Sequence, residues 1–241
     1  MKASINVWRL ILVSLLVLTT ISPSHITLWA YDGETLRRLS SHEAGFIEIT
    51  DEVQVANKGV ARLCLQLQAE RVRVGSCAEN STISSWQSPP EWEVKEVMVS
   101  DLNRDSEEEI TLLVWRPFKP WPVDRFMPSA GRIDAFHDNN NMSCHLILIG
   151  LRDGKIKELW AGSAMSDPIN EIHAADLDGD GLQELVALEH AYNSNSRKAS
   201  ITVWEWNGFG FSLQARQDGR FSSLHVLPAE QGKVLLANKN P

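Results

Sequence analysis

The feature that most constrains the fold is an acidic loop between two short apolar runs, at residues 175–189 (ADLDGDGLQELVALE). Three aspartates occupy alternate positions, two glycines leave the backbone free to curl, and a glutamate follows four residues after the last aspartate. Carboxylates crowded in this way repel one another unless a cation neutralises them, and Ca²⁺ takes about six to eight oxygen ligands. The pattern predicts a calcium site whose candidate ligands are Asp176, Asp178, Asp180 and Glu184.

The flanks of this loop separate it from the helix-loop-helix calcium sites. Such a loop carries its bidentate acid at the twelfth position, which here is Ala187, and lies between two helices. In this chain the acid, Glu184, stands at the ninth position, and both flanks are short, β-compatible apolar runs. The loop is therefore predicted to join two strands.

Another acidic loop lies upstream, and each of its residues comes 75 positions before its counterpart, as Asp101 does before Asp176. Repetition at a fixed offset indicates a repeated structural unit. The copy is degraded, because Arg104 brings a cation into the loop and Ser106 replaces a glycine. The sequence leaves open whether this loop holds calcium or is an acidic surface turn. Its candidate ligands are Asp101, Asn103, Asp105 and Glu109.

The two loops, with their strand-like flanks, resemble the FG-GAP or VCBS-type repeat of integrin-like β-propellers. The blades of those propellers carry a loop of the form D-x-D-x-D-G-x-x-[DE] between their first two strands. The specific motif is confined to residues 97–115 and 175–189. The resemblance implies calcium as the cofactor and a role in binding an extracellular protein or glycan.

Three further segments share one hairpin pattern, in which apolar and polar residues alternate around a DG or NG turn. They are residues 26–39 (ITLWAYDGETLRRL), 146–159 (LILIGLRDGKIKEL) and 201–214 (ITVWEWNGFGFSLQ). Two of them follow the acidic loops, which defines a unit of strand, acidic loop, strand and hairpin. Residues 46–77 supply strands for another unit.

The two ends of the chain supply the strands of one further repeating unit. Residues 224–237 contain two short strands with no hairpin after them, whereas residues 26–39 form a hairpin with no unit before it. We expect these ends to pair in one blade, which hides the sheet edges. The prediction for residues 25–241 is an all-β fold, a small β-propeller of about four blades. A partial, open propeller and closure by a dimer are the alternatives.

The N-terminus, residues 1–24, has the pattern of an export signal. Lys2 and Arg9 are the only charges before Asp32, and residues 10–21 form an apolar run shorter than the about 20 residues of a spanning helix. We expect secretion with a cleaved signal, or attachment to a membrane through residues 10–21; a buried core segment is the remaining alternative. The net charge of −8 makes nucleic acid an unfavourable partner.

The cysteines suggest one disulfide. Leucines and valines alternate over residues 60–78, which predicts a hairpin that turns at Glu70 and Arg71 and places Cys64 opposite Cys77. Cys144 is then left over, either free and buried or paired with another chain.

A long insertion, residues 116–144, separates a strand from its hairpin. Its prolines exclude a central strand or helix, and its aromatic and charged residues suit a ligand cleft, although they also suit packing of the loop onto the fold. The candidate ligand-binding residues are Arg116, Trp121, Arg125, Asp134 and His137. No zinc pattern, nucleophile elbow or phosphate loop occurs, so a binding module is expected. The alternative is a polysaccharide hydrolase or lyase with its cleft at this insertion.

Overall fold

We describe the protein from a computed structural model. The structure describes residues 26–39, 57–58, 61–76, 85–119, 133–193, 198–228 and 234–239. Within these ranges the protein is all-β, as the sequence predicts, with one 3-10 turn at Ile133–Ala135. The strands form four antiparallel sheets of four strands each.

Sheets 1 and 2 come from the first half of the chain. Sheet 1 contains, in order, β3 (Asn57–Lys58), β4 (Ala61–Gln68), β5 (Arg71–Ser76) and β6 (Trp86–Gln87). Sheet 2 contains β7 (Glu93–Ser100), β8 (Glu109–Pro117), β9 (Met142–Arg152) and β10 (Lys155–Ala161).

Sheets 3 and 4 come from the second half of the chain and from its two ends. Sheet 3 contains β11 (Ile169–Ala175), β12 (Glu184–Glu189), β13 (Ala199–Trp206) and β14 (Phe211–Gly219). Sheet 4 contains, in spatial order, β15 (Leu224–Pro228), β16 (Val234–Lys239), β1 (Ile26–Tyr31) and β2 (Leu36–Leu39).

The pairing of the chain ends in sheet 4 confirms the expectation from the sequence. Strand β16 lies between β15 and β1, and its register with β1 runs from Ile26 opposite Lys239 to Ala30 opposite Leu235. The predicted hairpin turns are also present, with positive φ at Gly33, Gly154 and Gly208.

Consecutive sheets pack face to face, so the central strands of sheets 2 and 3 are buried on both sides. In β8, Ile110 and Leu112 lie in the core between sheets 1 and 2, whereas Leu113 lies in the core between sheets 2 and 3. In β12, Leu185 belongs to that second core and Val186 to a third core between sheets 3 and 4. Burial on both faces explains why these strands read as continuous apolar runs without alternation.

The hairpin of β4 and β5 turns one residue earlier than predicted, which shifts the pairing of its two strands by two residues. The turn lies at Ala69 and Glu70, whose φ angles are 50° and 60°, and Cys64 is opposite Gly75. Positive φ at both central residues gives a turn whose twist matches that of the strands. A shift of two keeps every side chain on its predicted face, so alternation could not have revealed the error. Cys64 is disulfide-bonded.

Of the two remaining cysteines, Cys144 lies within the described residues. Cys144 is free and fully buried, with its Sγ 3.4 Å from the Ile169 N–H, which agrees with the first of the two alternatives. Cys77 lies outside the described residues, as do residues 1–24 with the apolar run 10–21. In the part of the chain that the structure describes, no helix has the length and hydrophobicity of a membrane span.

Two glutamates link the first strands of consecutive sheets. The Oε2 atom of Glu96 on β7 accepts the Ile172 N–H of β11 at 2.9 Å, and that of Glu171 on β11 accepts the Leu224 N–H of β15 at 2.6 Å. Glu96 and Glu171 are separated by the same 75 positions as the acidic loops. The repeat therefore contains a carboxylate that fixes each first strand to the next.

Glu96 gives a test of this link. Burial raises the pKa of Glu96 to about 7 from its ordinary value of 4.5, and neighbouring Glu171 adds to the shift. A carboxyl whose pKa is raised on folding contributes stability that is complete below pH 4.5 and is lost as the pH rises through 7. Solvent screening at this part-buried site reduces the effect to about 1 kcal/mol, or about 2–4 °C in the unfolding midpoint.

We expect Glu96→Gln, which retains an oxygen for the Ile172 N–H, to remove this pH dependence. Between pH 5 and pH 8, the thermal unfolding midpoint of the parent protein should fall more than that of the variant. Glu91→Gln, at an exposed position, is the matched control. Identical pH profiles for the parent and Glu96→Gln would contradict the role given to this carboxylate.

Candidate metal centre

The second acidic loop, residues 176–183, joins β11 to β12 and brings three carboxylates together. One oxygen each from Asp176, Asp178 and Glu184 lie within 4.8 Å of one another. Two oxygens on opposite sides of one calcium ion are about 4.6–5.2 Å apart, because each Ca–O distance is about 2.3–2.6 Å. The three oxygens are thus spaced so that a single ion could contact all of them.

The backbone of this loop curls around Asp176. The two carboxylate oxygens of Asp176 accept the N–H groups of Gly179 at 2.7 Å and Gly181 at 2.9 Å, and both glycines have positive φ. Asp180 is held differently, since its Oδ1 accepts the Leu182 N–H at 2.7 Å. The structure therefore brings together three of the four residues predicted for this loop and leaves Asp180 outside the group.

Glu184 is the buried member of the group, with 2% of its surface exposed. Its Oε2 accepts the Leu177 N–H at 2.9 Å. Burial raises the pKa of Glu184 to about 7, and the neighbouring charges of Asp178 and Asp180 raise it further, whereas Arg104 opposes them. Positive charge placed at this carboxylate favours its ionised form.

The first acidic loop, residues 101–108, has the same construction between β7 and β8. One oxygen each from Asp101, Asp105 and Glu109 lie within 4.8 Å of one another. Asn103 lies beside them and accepts the Asp105 N–H through its Oδ1 at 3.0 Å. The loop thus retains a three-carboxylate group even though its sequence departs from the pattern.

The first loop also keeps the backbone conformation of the second without its glycines. Arg104 and Ser106 occupy the positions equivalent to Gly179 and Gly181, and their φ angles are 60° and 65°. This left-handed conformation costs a residue with a side chain about 1–2 kcal/mol. Its persistence indicates that surrounding contacts hold the loop in shape.

The contacts that hold the first loop in shape are made chiefly by the Arg104 side chain. This side chain extends from its own loop into the second loop. Its Nη2 is 3.0 Å from Glu184 Oε1, and its Nη1 is 2.5 Å from Glu205 Oε1 on β13. The Asp101 N–H also donates to Gln183 Oε1 at 2.7 Å. The two loops therefore form one centre at the border of sheets 2 and 3. From the sequence, Arg104 was expected to act only within its own loop. Its contact with the second loop could have been anticipated only from the expectation that equivalent loops of consecutive units lie side by side.

The candidate residues of the insertion lie apart from this centre. The Arg116 guanidinium lies over the Trp92 ring at 5.7 Å and its Nη2 is 3.3 Å from His145 Nδ1. His137 packs against Phe118, with ring centroids 5.0 Å apart. Asp134 is exposed on the 3-10 turn. Trp121 and Arg125 lie outside the described residues.

Both groups offer only oxygen donors, which suit hard divalent cations such as Ca²⁺, Mg²⁺ and Mn²⁺. Neither comparison with known proteins identified a relative: no protein-family model matches the chain, and no curated protein matches it. The interpretation of the centre therefore depends on its residues and their geometry.

Arg104 gives a test of the joined centre that needs no metal. Its side chain is 13% exposed and neutralises a carboxylate that is 3% exposed, so Arg104→Ala would leave Glu184 buried without this partner. Removing one partner of a buried ion pair costs about 3–5 kcal/mol. We expect a loss at the lower end of that range, because Arg104 retains some contact with water.

Arg152→Ala is the matched control, because Arg152 is 3.6 Å from Asp105 in the same centre but is 58% exposed. An exposed pair contributes about 0–1 kcal/mol. Chemical denaturation in the presence of chelator should rank Arg104→Ala well below Arg152→Ala in stability. Equal losses for the two variants would show that Arg104 does not join the loops.

Proposed function

We propose that this protein is a small four-bladed β-propeller of FG-GAP/VCBS type, stabilised by calcium, that acts as an extracytoplasmic binding module. The observation that carries the proposal is the pair of three-carboxylate groups at equivalent places in consecutive sheets. One acidic turn is common on protein surfaces. Two that repeat at a fixed offset, with the same backbone and the same position after a first strand, indicate a retained cation-binding unit.

The arrangement of the sheets supports the propeller part of the proposal. There are four sheets of four strands, and β11, the first strand of sheet 3, lies next to β7 on one side and β15 on the other. In a propeller the first strands of the blades surround the axis and the last strands lie outside. A sheet made from both chain ends is also the means by which propellers hide their edges.

Calcium is proposed over the other hard cations because of the donor set. Asp176, Asp178 and Glu184 can each offer one or two oxygens, so a site of high coordination number is within reach. Magnesium requires a near-octahedral shell and retains several of its waters. With residues 1–24 as an export signal or anchor, the chain would work where calcium is about millimolar, which saturates even weak sites.

The mechanism that follows is one of preorganisation. A calcium ion would neutralise the crowded carboxylates and fix the loops that join the first two strands of sheets 2 and 3. Fixed loops at one end of the molecule present a rigid surface to an extracellular protein or glycan, which reduces the entropy lost on binding. The predicted insertion 116–144 is shorter in the structure, because Arg116 and Pro117 of β8 pair with Ser143 and Met142 of β9. The segment that remains between these two strands is a second place at which such a partner could dock.

Calcium should raise the unfolding midpoint of residues 25–241 if the centre binds it. A ligand at about 100 times its dissociation constant stabilises the native state by about 2.7 kcal/mol, which corresponds to several degrees. Asp178→Asn should lose most of this response. Glu91→Gln removes the same charge from an exposed residue just before β7, at the opposite end of that strand from the acidic loop, and should keep the response.

Magnesium and zinc at equal concentration test the choice of cation in the same assay. A larger stabilisation by magnesium would reassign the cofactor. An unfolding midpoint that does not respond to calcium in the parent protein would reduce both loops to acidic turns.

A further inference from the structure

A second polar site lies at the far end of sheet 3. It is an open cleft of about 490 Å³ bordered by the last residues of β12 and β14 and the first residues of β13. Glu189, on its floor, ends the strand that Glu184 begins. At about 3.4 Å per residue these two glutamates are about 17 Å apart along β12, so the cleft and the metal centre are separate sites.

Arg216 organises the cleft. Three carboxylates bind its guanidinium group. Its Nη1 is 3.2 Å from Glu189 Oε2 and 3.4 Å from Asp167 Oδ2, and its Nε is 2.9 Å from Asp218 Oδ1. The Ser200 hydroxyl donates to the same Asp218 oxygen at 2.7 Å. These bonds fix the plane of the guanidinium before any ligand arrives.

Glu189 is held as firmly from the side of the core, where only 2% of its surface is exposed. Its Oε1 accepts the Thr202 hydroxyl at 2.8 Å and the Trp204 indole N–H at 3.1 Å. Burying a carboxylate costs free energy, and an apolar residue at this position of β12 would stabilise the core more. The arrangement resembles a preorganised recognition surface more than a stabilising ion pair.

The numbers of acidic and basic side chains that line the cleft are equal. Three carboxylates line it, Asp167, Glu189 and Asp218, together with three cationic side chains, Lys198, Arg216 and Arg220. His190 also lines it, and burial lowers the pKa of its imidazole, which favours the neutral form. The Nδ1 atom of His190 is buried and makes no hydrogen bond to the described residues.

A charged ligand would disturb this balance, because an anion would meet Asp167 and Asp218 and a cation would meet Arg216 and Arg220. A ligand with many hydroxyl groups would not, because each hydroxyl can donate to a carboxylate and accept from a guanidinium or imidazole N–H. The cleft also has a small apolar wall at Ala191 and Ala199. Its volume lies within the range of about 300–1,000 Å³ usual for small-molecule sites.

We propose that this cleft binds a neutral saccharide, with Arg216, Asp218 and Glu189 forming its polar floor. The proposal takes from the function proposed above only that the chain is a binding module, and it names a glycan as the ligand. It needs no calcium, so the two proposals can fail separately.

Trp204 provides a local probe, because its indole N–H bonds to Glu189 on the cleft floor. In ¹H–¹⁵N spectra of the protein, with the indole signal assigned by Trp204→Phe, titration with D-glucose, D-galactose, D-mannose and N-acetyl-D-glucosamine should shift the Trp204 signal for at least one sugar. The Trp160 indole, which donates to Phe209 O at 2.8 Å, is remote from the cleft and should not move. Inorganic phosphate, acetate and ethanolamine, titrated in the same way, test anions and cations.

Asp218→Asn tests the assignment of the floor. Loss of a hydrogen bond to a charged group weakens binding by about tenfold or more, so the affinity for the sugar should fall by that factor. Asp153→Asn, at an exposed turn of sheet 2, should leave it unchanged. A Trp204 signal that responds to phosphate or ethanolamine but to no sugar would overturn the proposal, as would a signal that responds to none of the probes. Equal affinities in Asp218→Asn and Asp153→Asn would move the site elsewhere.

Discussion

The central strands of sheets 2 and 3 have no side that faces water, and the rest of the molecule depends on this. Residues Ile110 to Val114 of β8 and Leu185 to Leu188 of β12 are all buried. Each large apolar side chain contributes about 1.5–3 kcal/mol when it leaves water, and a strand with two apolar faces gains this only if a further sheet covers each face. A stack of sheets in chain order satisfies this demand without long connections.

The buried carboxylates on these two strands mark the sites. Glu109, Glu184 and Glu189 are buried carboxylates, and each occupies the first or last position of β8 or β12. At these positions the packed core gives way to loops, so a polar group can be buried from one side and approached from the other. Two of these glutamates belong to the joined acidic loops and the third to the cleft. One strand, β12, therefore carries a site at each end.

The joined acidic loops show how a degraded copy can be kept. Arg104 and Ser106 hold a backbone conformation that favours glycine, and yet the first loop retains its carboxylate group. The ion pairs of Arg104 with Glu184 and Glu205 offset that strain. The substitution that disturbs one loop thus supplies a cation to its neighbour, and the two loops need not bind metal equally.

The sequence allowed the strands and their grouping to be predicted because both depend on local patterns. The turns at Gly33, Gly154 and Gly208, and the pairing of the chain ends, needed only turn chemistry and a count of units. The register of β4 and β5 was missed because a shift of two leaves alternation unchanged. The reach of Arg104 and the cleft at Glu189 were missed for another reason: a single sequence does not show where a side chain points, and Glu189 simply ends an apolar run.

The position of β16 has a consequence for how the molecule is made. This strand is the interior partner of both β15 and β1, and its residue Lys239 is opposite Ile26, across almost the whole length of the chain. Contacts of such high sequence separation form late, because closing a long loop costs entropy before any contact is gained. During synthesis, sheets 1 to 3 can emerge and stack in turn, whereas β1 and β2 must wait with an unpaired edge. β1 can pair with β2 at once through the turn at Gly33, so the edge that waits longest is the side of β1 that only β16 covers.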